Sequence, residues 1–192
     1  MIEYESLGHI NIVVDNIEKA TEFYEKALRA VPIQEFPHFK NLGFAKSAGF
    51  LDNPGEVEVS IKFLRIPTKE GLFLELMQYH NPTGVLFSTN KETNSLGCVG
   101  HITLRVKNIE ESFNYLKTID GVKMINESPE YQPFKIDDIT PEQFKFYDIE
   151  MENSIEEKKK VCQTVGGIRY FYFLDPYGVQ WELEQGHTDI GS

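Results

Sequence analysis

The stretch GHITLRVKNIEE at residues 100–111 nearly repeats an earlier one, GHINIVVDNIEK at residues 8–19. Aligned without a gap, the two share the Gly-His-Ile opening, a valine and an Asn-Ile-Glu sequence near the end. A second pair of similar stretches follows each copy, ELMQYH at residues 75–80 and ELEQGH at residues 182–187. An internal repeat reveals the architecture of a chain, so we expect two modules of the same fold in tandem.

In each copy, apolar residues first alternate and then recur at helical spacing. Every second residue over 10–14 is apolar, which predicts a strand with one buried face and places His9 on the other face. Residues 15–29 then predict a capped amphipathic helix, and residues 101–116 repeat the plan. The expected caps, with the glutamates that would complete a capping box, are Asp15, Asn16, Glu18, Asn108 and Glu111.

Each module closes on a β-hairpin. Two β-rich runs at residues 57–66 and 72–79 are separated by PTKEG, and two more at residues 167–174 and 179–185 are separated by DPYG, a turn sequence. The segment 31–55 is irregular, although residues 41–46 could form a short strand. The predicted fold class is therefore α+β, with two tandem βαβββ modules forming a curled mixed sheet around a central pocket.

The repeat also sets the expected boundaries. We predict a single domain over 1–192, with a first module at 8–80, a linker at 81–97 and a second module at 98–187. The two opening histidines are 92 residues apart and the two closing glutamates 107, so the second module carries about 15 extra residues, which we place at about 127–165. This insertion is either a solvated surface excursion or a lid or dimer arm near the site.

Composition excludes several classes of function. The formal net charge of -11 disfavours binding to nucleic acid or to an anionic membrane. No apolar run is long enough for a membrane span, and the N-terminal stretch does not resemble a signal peptide, so we expect a cytoplasmic protein. Only Cys98 and Cys162 are present, which supports neither a disulfide framework nor a thiolate zinc site.

Each module opens with a histidine and closes with a glutamate. Strand alternation places His9, Glu75, His101 and Glu182 on the faces opposite the aliphatic ones, so all four would point into the concave side of a curled sheet. Two imidazoles and two carboxylates form a good ligand set for Zn²⁺, Ni²⁺, Mn²⁺ or Fe²⁺. His80 and His187, at the strand ends, are expected at the surface.

The paired βαβββ plan, the strand-opening histidines and the run DPYGVQWEL at residues 175–183 resemble the vicinal oxygen chelate superfamily. That superfamily contains glyoxalase I, methylmalonyl-CoA epimerase, extradiol dioxygenases and the fosfomycin and bleomycin resistance proteins. The resemblance covers nearly the whole chain except the insertion. It implies one divalent metal ion per site (Zn, Ni, Co, Mn or Fe(II)) held by His9, Glu75, His101 and Glu182, a small-molecule substrate, and a homodimer.

A complete set of four ligands is similar to the glyoxalase I type and implies a metal-dependent lyase or isomerase, like lactoylglutathione lyase. Such an enzyme acts on a small α-oxygenated carbonyl compound or its thiol adduct through a metal-held enediolate, with Glu182 or Glu75 as the general base. Two alternatives stay open: a non-catalytic or resistance-type member that binds a small molecule, and an iron(II) extradiol-type dioxygenase.

Several positions bear on the substrate. Arg105 shares a face with His101 and could bind an anionic group. Val13 and Tyr79 stand where glutathione-dependent relatives carry arginine and asparagine, which argues against a glutathione hemithioacetal, and the epimerases usually carry glutamine where Glu75 stands. The other expected wall residues have the same strand parity: Asn11, Phe73, Met77, Tyr79, Thr103 and Gln180.

Overall fold

The computed structural model of the chain describes residues 8–69, 71–85, 99–135, 139–146 and 148–186. The chain divides into two compact units: the first comprises Met1–Lys91 and Ile119–Gly121, and the second comprises Glu92–Thr118 and Val122–Ser192. Most of the predicted linker, together with Cys98 and His187, lies outside the described residues. No helix of the described part is long and apolar enough to cross a membrane.

The first unit carries a four-stranded mixed sheet in the order β1-β4-β3-β2. Strand β1 runs parallel to β4, and the other neighbours are antiparallel. This is the predicted βαβββ plan. Its elements are β1 (Ile10–Val13), α1 (Ile17–Leu28), β2 (Val31–Phe39), α2 (Leu42–Ser47), a short 3-10 helix (Pro54–Glu56), β3 (Glu58–Ile66) and β4 (Leu72–Asn81).

Helix α1 covers one face of this sheet, as its spacing predicts. Asn16 is the N-cap, and its side chain accepts a hydrogen bond from the backbone N–H of Lys19. The cap therefore lies one residue after Asp15, which would have been the cap in the expected capping box with Glu18. The helix ends at Leu28, and its C-cap residue Arg29 adopts the left-handed conformation. The predicted apolar stripe is buried throughout: Ile17, Ala20, Phe23, Tyr24, Ala27 and Leu28.

The segment 31–55 differs from the prediction. It begins with the nine-residue strand β2, whose prolines at 32 and 37 are tolerated because β2 is an edge strand with register shifts against β3. Residues 41–46, expected as a short strand, instead start helix α2, because the Asn41 side chain caps it by accepting from the N–H of Phe44. Helix α2 packs on the face of the sheet that is opposite α1. Its residue Ala45 is buried there against Val59 and Met77.

The second unit repeats the plan with sheet order β5-β9-β8-β6, β5 again running parallel to the last strand, and β7 pairing with β8. Asn108 caps α3, and Ile109, Phe113 and Leu116 are buried as predicted. The elements are β5 (Ile102–Arg105), α3 (Ile109–Leu116), β6 (Lys123–Met124), β7 (Phe134–Lys135), a 3-10 helix (Pro141–Gln143), α4 (Ile149–Glu152), α5 (Ile155–Gly166), β8 (Arg169–Leu174) and β9 (Gln180–Gln185).

The expected insertion at about 127–165 contains β7, α4 and most of α5. Ser154 caps α5, and no residue of either helix is fully buried. Lys158 ties α5 to the preceding segment through an ion pair with Glu152 at 2.7 Å and a contact with the carbonyl of Pro141. A lid or dimer-arm role for this segment stays a prediction.

The repeated Glu-Leu-x-Gln sequence has a structural meaning at its fourth position. The side-chain oxygen of Gln78 accepts a hydrogen bond from the backbone N–H of Ile17 at 2.9 Å, and Gln185 makes the same bond to Ile109 at 2.9 Å. These N–H groups belong to the first helical turn and have no partner within the helix. In each unit the last strand therefore anchors the start of the first helix.

Candidate metal centre

The first histidine–glutamate pair lies on β1 and β4. Because these strands are parallel and Asn11 is in register with Glu75, the preceding His9 comes beside the carboxylate, with His9 Nε2 3.1 Å from Glu75 Oε2. Asn11 donates a hydrogen bond from Nδ2 to the same oxygen at 2.8 Å. On the other side of Glu75, Phe63 packs its ring edge-to-face against His9, with centroids 5.7 Å apart.

The second pair repeats this geometry on β5 and β9. His101 Nε2 lies 3.0 Å from Glu182 Oε2, and Thr103, in register with Glu182, is 3.5 Å from that oxygen through its hydroxyl. On the other side of Glu182 stands Tyr172, whose ring centroid is 5.3 Å from that of His101 and whose hydroxyl hydrogen-bonds the carboxylate. Asn11 and Phe63 of the first unit thus correspond to Thr103 and Tyr172.

In both pairs the carboxylate is sheltered and the imidazole is open. The side chains of Glu75 and Glu182 are 13% and 10% exposed, whereas those of His9 and His101 are 43% and 41% exposed. Hydrogen bonds from neighbouring strands hold the carboxylates, while the rings can reach a ligand from solution. Each pair therefore presents one nitrogen and one oxygen donor on an accessible face.

The electrostatics of Glu182 set it apart. Burial raises the pKa of its carboxyl, and the nearby Glu184 acts in the same direction, while the hydrogen bond from Tyr172 and the proximity of His101 oppose the rise. Burial and the neighbouring Glu182 charge in turn raise the pKa of the Tyr172 hydroxyl, so Tyr172 stays a neutral donor at physiological pH. A carboxylate that ionises less readily than usual is suited to proton transfer near neutral pH.

The donor chemistry fits a divalent metal ion. Imidazole nitrogen and carboxylate oxygen are the usual ligands of Zn²⁺, Mn²⁺ and Fe²⁺, and two carboxylates balance the charge of the ion. Within either unit, the described residues include no group of three or more His, Cys, Asp or Glu arranged to hold a metal. Each unit thus brings together one histidine and one glutamate of the predicted ligand set.

The predicted wall residues fall into two environments. Met77 is buried in an apolar cluster with Ala45 and Val57, and Tyr79 packs against the same cluster, its ring 5.9 Å from that of Phe50. Burial and the nearby Glu75 raise the pKa of the Tyr79 hydroxyl. We call the face of each sheet that carries its His–Glu pair the site face. The outer part of the first sheet's site face is thus covered by the segment that contains α2. Phe73, two residues before Glu75, is half-buried.

The site face of the second sheet is more polar. Arg105 is exposed on β5 and lies in register with Glu184 on β9, one step along the sheet from Thr103 and Glu182. Glu184 and Gln180 are both buried on this face. The role of Arg105 in binding an anionic group stays a prediction.

Sequence reasoning missed Phe63 and Tyr172. Both lie on the hairpin strand next to the glutamate, in direct register with it, and each contacts the histidine of its unit. The signal that could have found Tyr172 is the DPYG turn, because the register of a hairpin follows from its turn. Counting back from that turn pairs Leu174 with Gln180 and Tyr172 with Glu182.

A second histidine group in the first unit was also unexpected. His38 and His80 stack with ring centroids 4.8 Å apart; His38 Nδ1 lies 2.6 Å from Glu58 Oε1, and His80 Nε2 lies 2.8 Å from the hydroxyl of Ser60. The His38 hydrogen bond lowers the pKa of the Glu58 carboxyl. His38 reaches this position at a register shift of β2, where it takes a positive φ of 50°.

Comparison with known proteins agrees with the fold. Residues 6–87 match the family model of the Glyoxalase/Bleomycin resistance protein/Dioxygenase superfamily. A glyoxalase family protein from Bacillus cereus has a similar structure, with a TM-score of 0.65 and 15% identity over 97% of each chain. The fosfomycin resistance protein FosX from Listeria monocytogenes, solved with Mn(II) and sulfate, has a TM-score of 0.51 and 18% identity over 96% of this chain and 94% of its own.

A mutant of the same FosX protein, in complex with Mn(II) and 1S,2S-dihydroxypropylphosphonic acid, has a TM-score of 0.52 and 18% identity over 98% of each chain. No curated protein matches the sequence. The match over residues 6–87 covers the first His–Glu pair, and the similar structures extend over both modules. The first module thus matches the Glyoxalase/Bleomycin resistance protein/Dioxygenase superfamily, the vicinal oxygen chelate superfamily that the repeat and the DPYG run resemble, and the whole chain shares its fold with these solved structures.

Proposed function

We propose that this protein is a metal-dependent lyase or isomerase of the glyoxalase type, acting on a small α-oxygenated carbonyl compound or its thiol adduct. The observation that carries the proposal is Glu182. It is a sheltered carboxylate with a raised pKa, 3.0 Å from His101 Nε2 and hydrogen-bonded by the Tyr172 hydroxyl. That combination suits a group that both binds a cation and accepts a proton.

The proposed ligands are His9, Glu75, His101 and Glu182. Each His–Glu pair supplies half of the set, and the two halves come from one chain or from two copies in a homodimer. A divalent ion bound there would act as a Lewis acid on two neighbouring oxygens of the substrate. Zn, Ni, Co, Mn and Fe(II) all suit these donors, and FosX, with the same fold, was solved with Mn(II).

Glu182 is the proposed general base and Glu75 the proposed permanent ligand. A base works best when its pKa lies near the working pH, and burial moves the pKa of Glu182 in that direction. Tyr172 and Thr103 contact the Glu182 carboxylate from the two neighbouring strands. These two contacts would keep the carboxylate in position when it releases the metal to accept a proton. Glu75 instead accepts a 2.8 Å hydrogen bond from Asn11 and faces Phe63, which offers no polar group.

The remaining predicted residues would bind the substrate. Arg105 would bind an anionic group of the substrate. Thr103 and Asn11 would face the oxygens of the substrate. Phe73, Met77 and Tyr79 would form the apolar side of the pocket.

The first test is the metal content of protein purified without chelators. We expect about one divalent ion per site, lost in His101→Ala, because that variant removes one donor of the proposed set. His38→Ala is the matched control, since His38 is an exposed histidine outside the set. If the wild-type protein carries no metal and takes up none on titration, the proposal is wrong and a small-molecule-binding member of the superfamily remains.

The reaction is tested by proton exchange. Metal-loaded protein in D₂O should exchange the α-proton of its substrate with solvent, which ¹H NMR detects across a panel of hemithioacetals and 2-hydroxyacyl thioesters. Iron in the purified protein, together with oxygen uptake in the presence of catechols, would identify a dioxygenase instead. Exchange that persists unchanged in Glu182→Gln would exclude Glu182 as the base.

A further inference from the structure

Gln180 is the most buried polar residue on the site face of the second sheet. Its exposure is 1%, and among the residues that the structure describes neither its amide nitrogen nor its amide oxygen has a hydrogen-bond partner. Buried amides are nearly always paired, because an unmade hydrogen bond leaves the loss of water uncompensated. An orphaned amide in this position therefore points to a partner that the described residues do not supply.

The register of β5 and β9 identifies the neighbour. Ile102 pairs with Trp181 in the parallel direction, so His101, one residue earlier, lies beside Gln180 on the adjacent strand. Gln180 also has the same parity as Glu182 and so lies on the face that carries the candidate ligands. The orphaned amide and the candidate ligand His101 are thus adjacent on one face.

In this structure the ring of His101 contacts Glu182 and not the amide of Gln180. His101 Nε2 lies 3.0 Å from Glu182, and a neutral ring that donates Nε2–H to the carboxylate has no hydrogen on Nδ1. If a cation took the lone pair of Nε2, the proton of the neutral ring would have to be on Nδ1. Histidines that bind metals almost always donate this second N–H to a protein acceptor.

We infer that Gln180 is a positioning residue for His101: its side-chain oxygen accepts the Nδ1–H of His101 when His101 Nε2 binds a divalent cation. This inference rests on the proposed metal-binding function. It assigns the amide a partner that exists only in the loaded state. In the first unit, Phe73 occupies the position equivalent to Gln180, two residues before the glutamate, so His9 has no corresponding acceptor.

The test compares two glutamines of the same strand. In Gln180→Met we expect Zn²⁺ affinity, measured by competition with a chromophoric chelator, to fall about 10–100-fold, the usual effect of removing a partner behind a metal ligand. The metal-free variant should melt at a higher temperature than the wild type, because an unpaired buried amide is gone. In Gln185→Met the pattern should reverse, with Zn²⁺ affinity unchanged and stability lowered, since Gln185 caps α3 from the opposite face.

A second variant and a spectroscopic measurement separate positioning from simple packing. Gln180→Glu restores an acceptor oxygen and should keep Zn²⁺ affinity within a few-fold of wild type. In protein labelled with ¹⁵N-histidine, Zn²⁺ should bring out a slowly exchanging Nδ1–H resonance of His101 in the wild type but not in Gln180→Met. If Zn²⁺ affinity and this resonance are the same in the wild type and Gln180→Met, the inference is wrong.

The wild-type titration with His101→Ala as reference keeps this failure distinct from failure of the proposed function. No Zn²⁺ binding by the wild type overturns both proposals. Binding that His101→Ala abolishes and Gln180→Met leaves intact overturns only the role of Gln180.

Discussion

The site faces of the two sheets carry the same pair of side chains in different surroundings. His9 and Glu75 lie 3.1 Å apart, and His101 and Glu182 lie 3.0 Å apart, at corresponding positions on β1–β4 and β5–β9. Around the first pair the neighbours are Asn11, Phe63 and Phe73, and an apolar cluster covers the outer strands. Around the second pair the corresponding neighbours are Thr103, Tyr172 and Gln180.

The difference indicates a division of roles. A repeat retains what both copies need, and here both copies retain the His–Glu pair and the glutamine that caps the helix. The surroundings are free to diverge, and the second pair combines a hydroxyl donor, a raised carboxyl pKa and a buried amide. These differences support the proposal that Glu182 transfers the proton and that Glu75 stays a metal ligand.

The largest effect should come from exchanging the two carboxylates for amides. Glu182→Gln should lower the rate of α-proton exchange by about 10²–10⁴-fold, the usual contribution of a general base. Glu75→Gln keeps an oxygen donor and should produce a smaller loss that excess metal partly restores. Measuring the α-proton exchange rates of both variants at saturating metal distinguishes loss of the base from loss of a metal ligand. Equal losses in both variants would show that the two carboxylates share one role.

The turns of the two final hairpins differ in a way that stability can measure. In the second unit Asp175 is buried and accepts hydrogen bonds from the N–H groups of Tyr177 and Val179 and from Trp181 Nε1, each at 2.9 Å. Gly178 completes this turn with a φ of 78°. In the first unit, the side-chain bond that the described residues of the equivalent turn show is the one from the N–H of Gly71 to the Thr68 hydroxyl, at 3.0 Å.

Asp175→Ala should therefore lower the free energy of unfolding of the second unit by about 3 kcal/mol, because it removes charge-assisted bonds and leaves the indole N–H buried without a partner. Thr68→Ala should cost about 1 kcal/mol or less in the first unit. The chain has a single tryptophan, Trp181, which packs in the second unit. Urea titrations followed by its fluorescence measure the first loss directly, and an unchanged midpoint in Asp175→Ala would contradict the prediction.

Local features of this fold were predictable from the sequence. The alternation over residues 10–14 and the apolar stripe of α1 depend only on the period of each element, and both are confirmed. The ligand set itself stays a prediction, supported by the two His–Glu contacts. The short strand predicted over residues 41–46 was wrong, because the Asn41 side chain caps a six-residue helix there. A helix of that length is too short for its periodicity to be recognised in the sequence.

Non-local features were not predictable in the same way. Tyr172 acts on Glu182 through cross-strand register, and that register depends on how the DPYG turn closes. The strand β2 contains two prolines and gains its place from pairing with β3, not from its own pattern. The orphaned amide of Gln180 depends on burial in three dimensions, so a sequence shows only that a glutamine stands two residues before Glu182.

Exchanging the residues beside the two carboxylates tests the division of roles more finely. The hydrogen bond from Tyr172 opposes the rise in the pKa of Glu182, so Tyr172→Phe should raise that pKa further. Because the base must be ionised to act, the acid limb of the pH–rate profile should move to higher pH, and activity below neutral pH should fall several-fold. Phe63→Tyr is the matched variant in the first unit and should leave the acid limb of the pH–rate profile in place. A shift of the acid limb in both variants would mean that Glu75 as well as Glu182 acts as a base.

The smallest effects should come from the feature that the two units share. Gln78→Met and Gln185→Met each remove one acceptor from the first turn of a helix, α1 or α3, and each should cost about 1 kcal/mol. Trp181 fluorescence should register the loss in Gln185→Met, whereas Gln78→Met should appear as faster amide hydrogen exchange in α1. An equal shift of the Trp181 transition in both variants would mean that the units unfold together, because the stability of α1 would then be felt at Trp181. Separate responses would show that the repeat consists of two units, each anchored by its own glutamine.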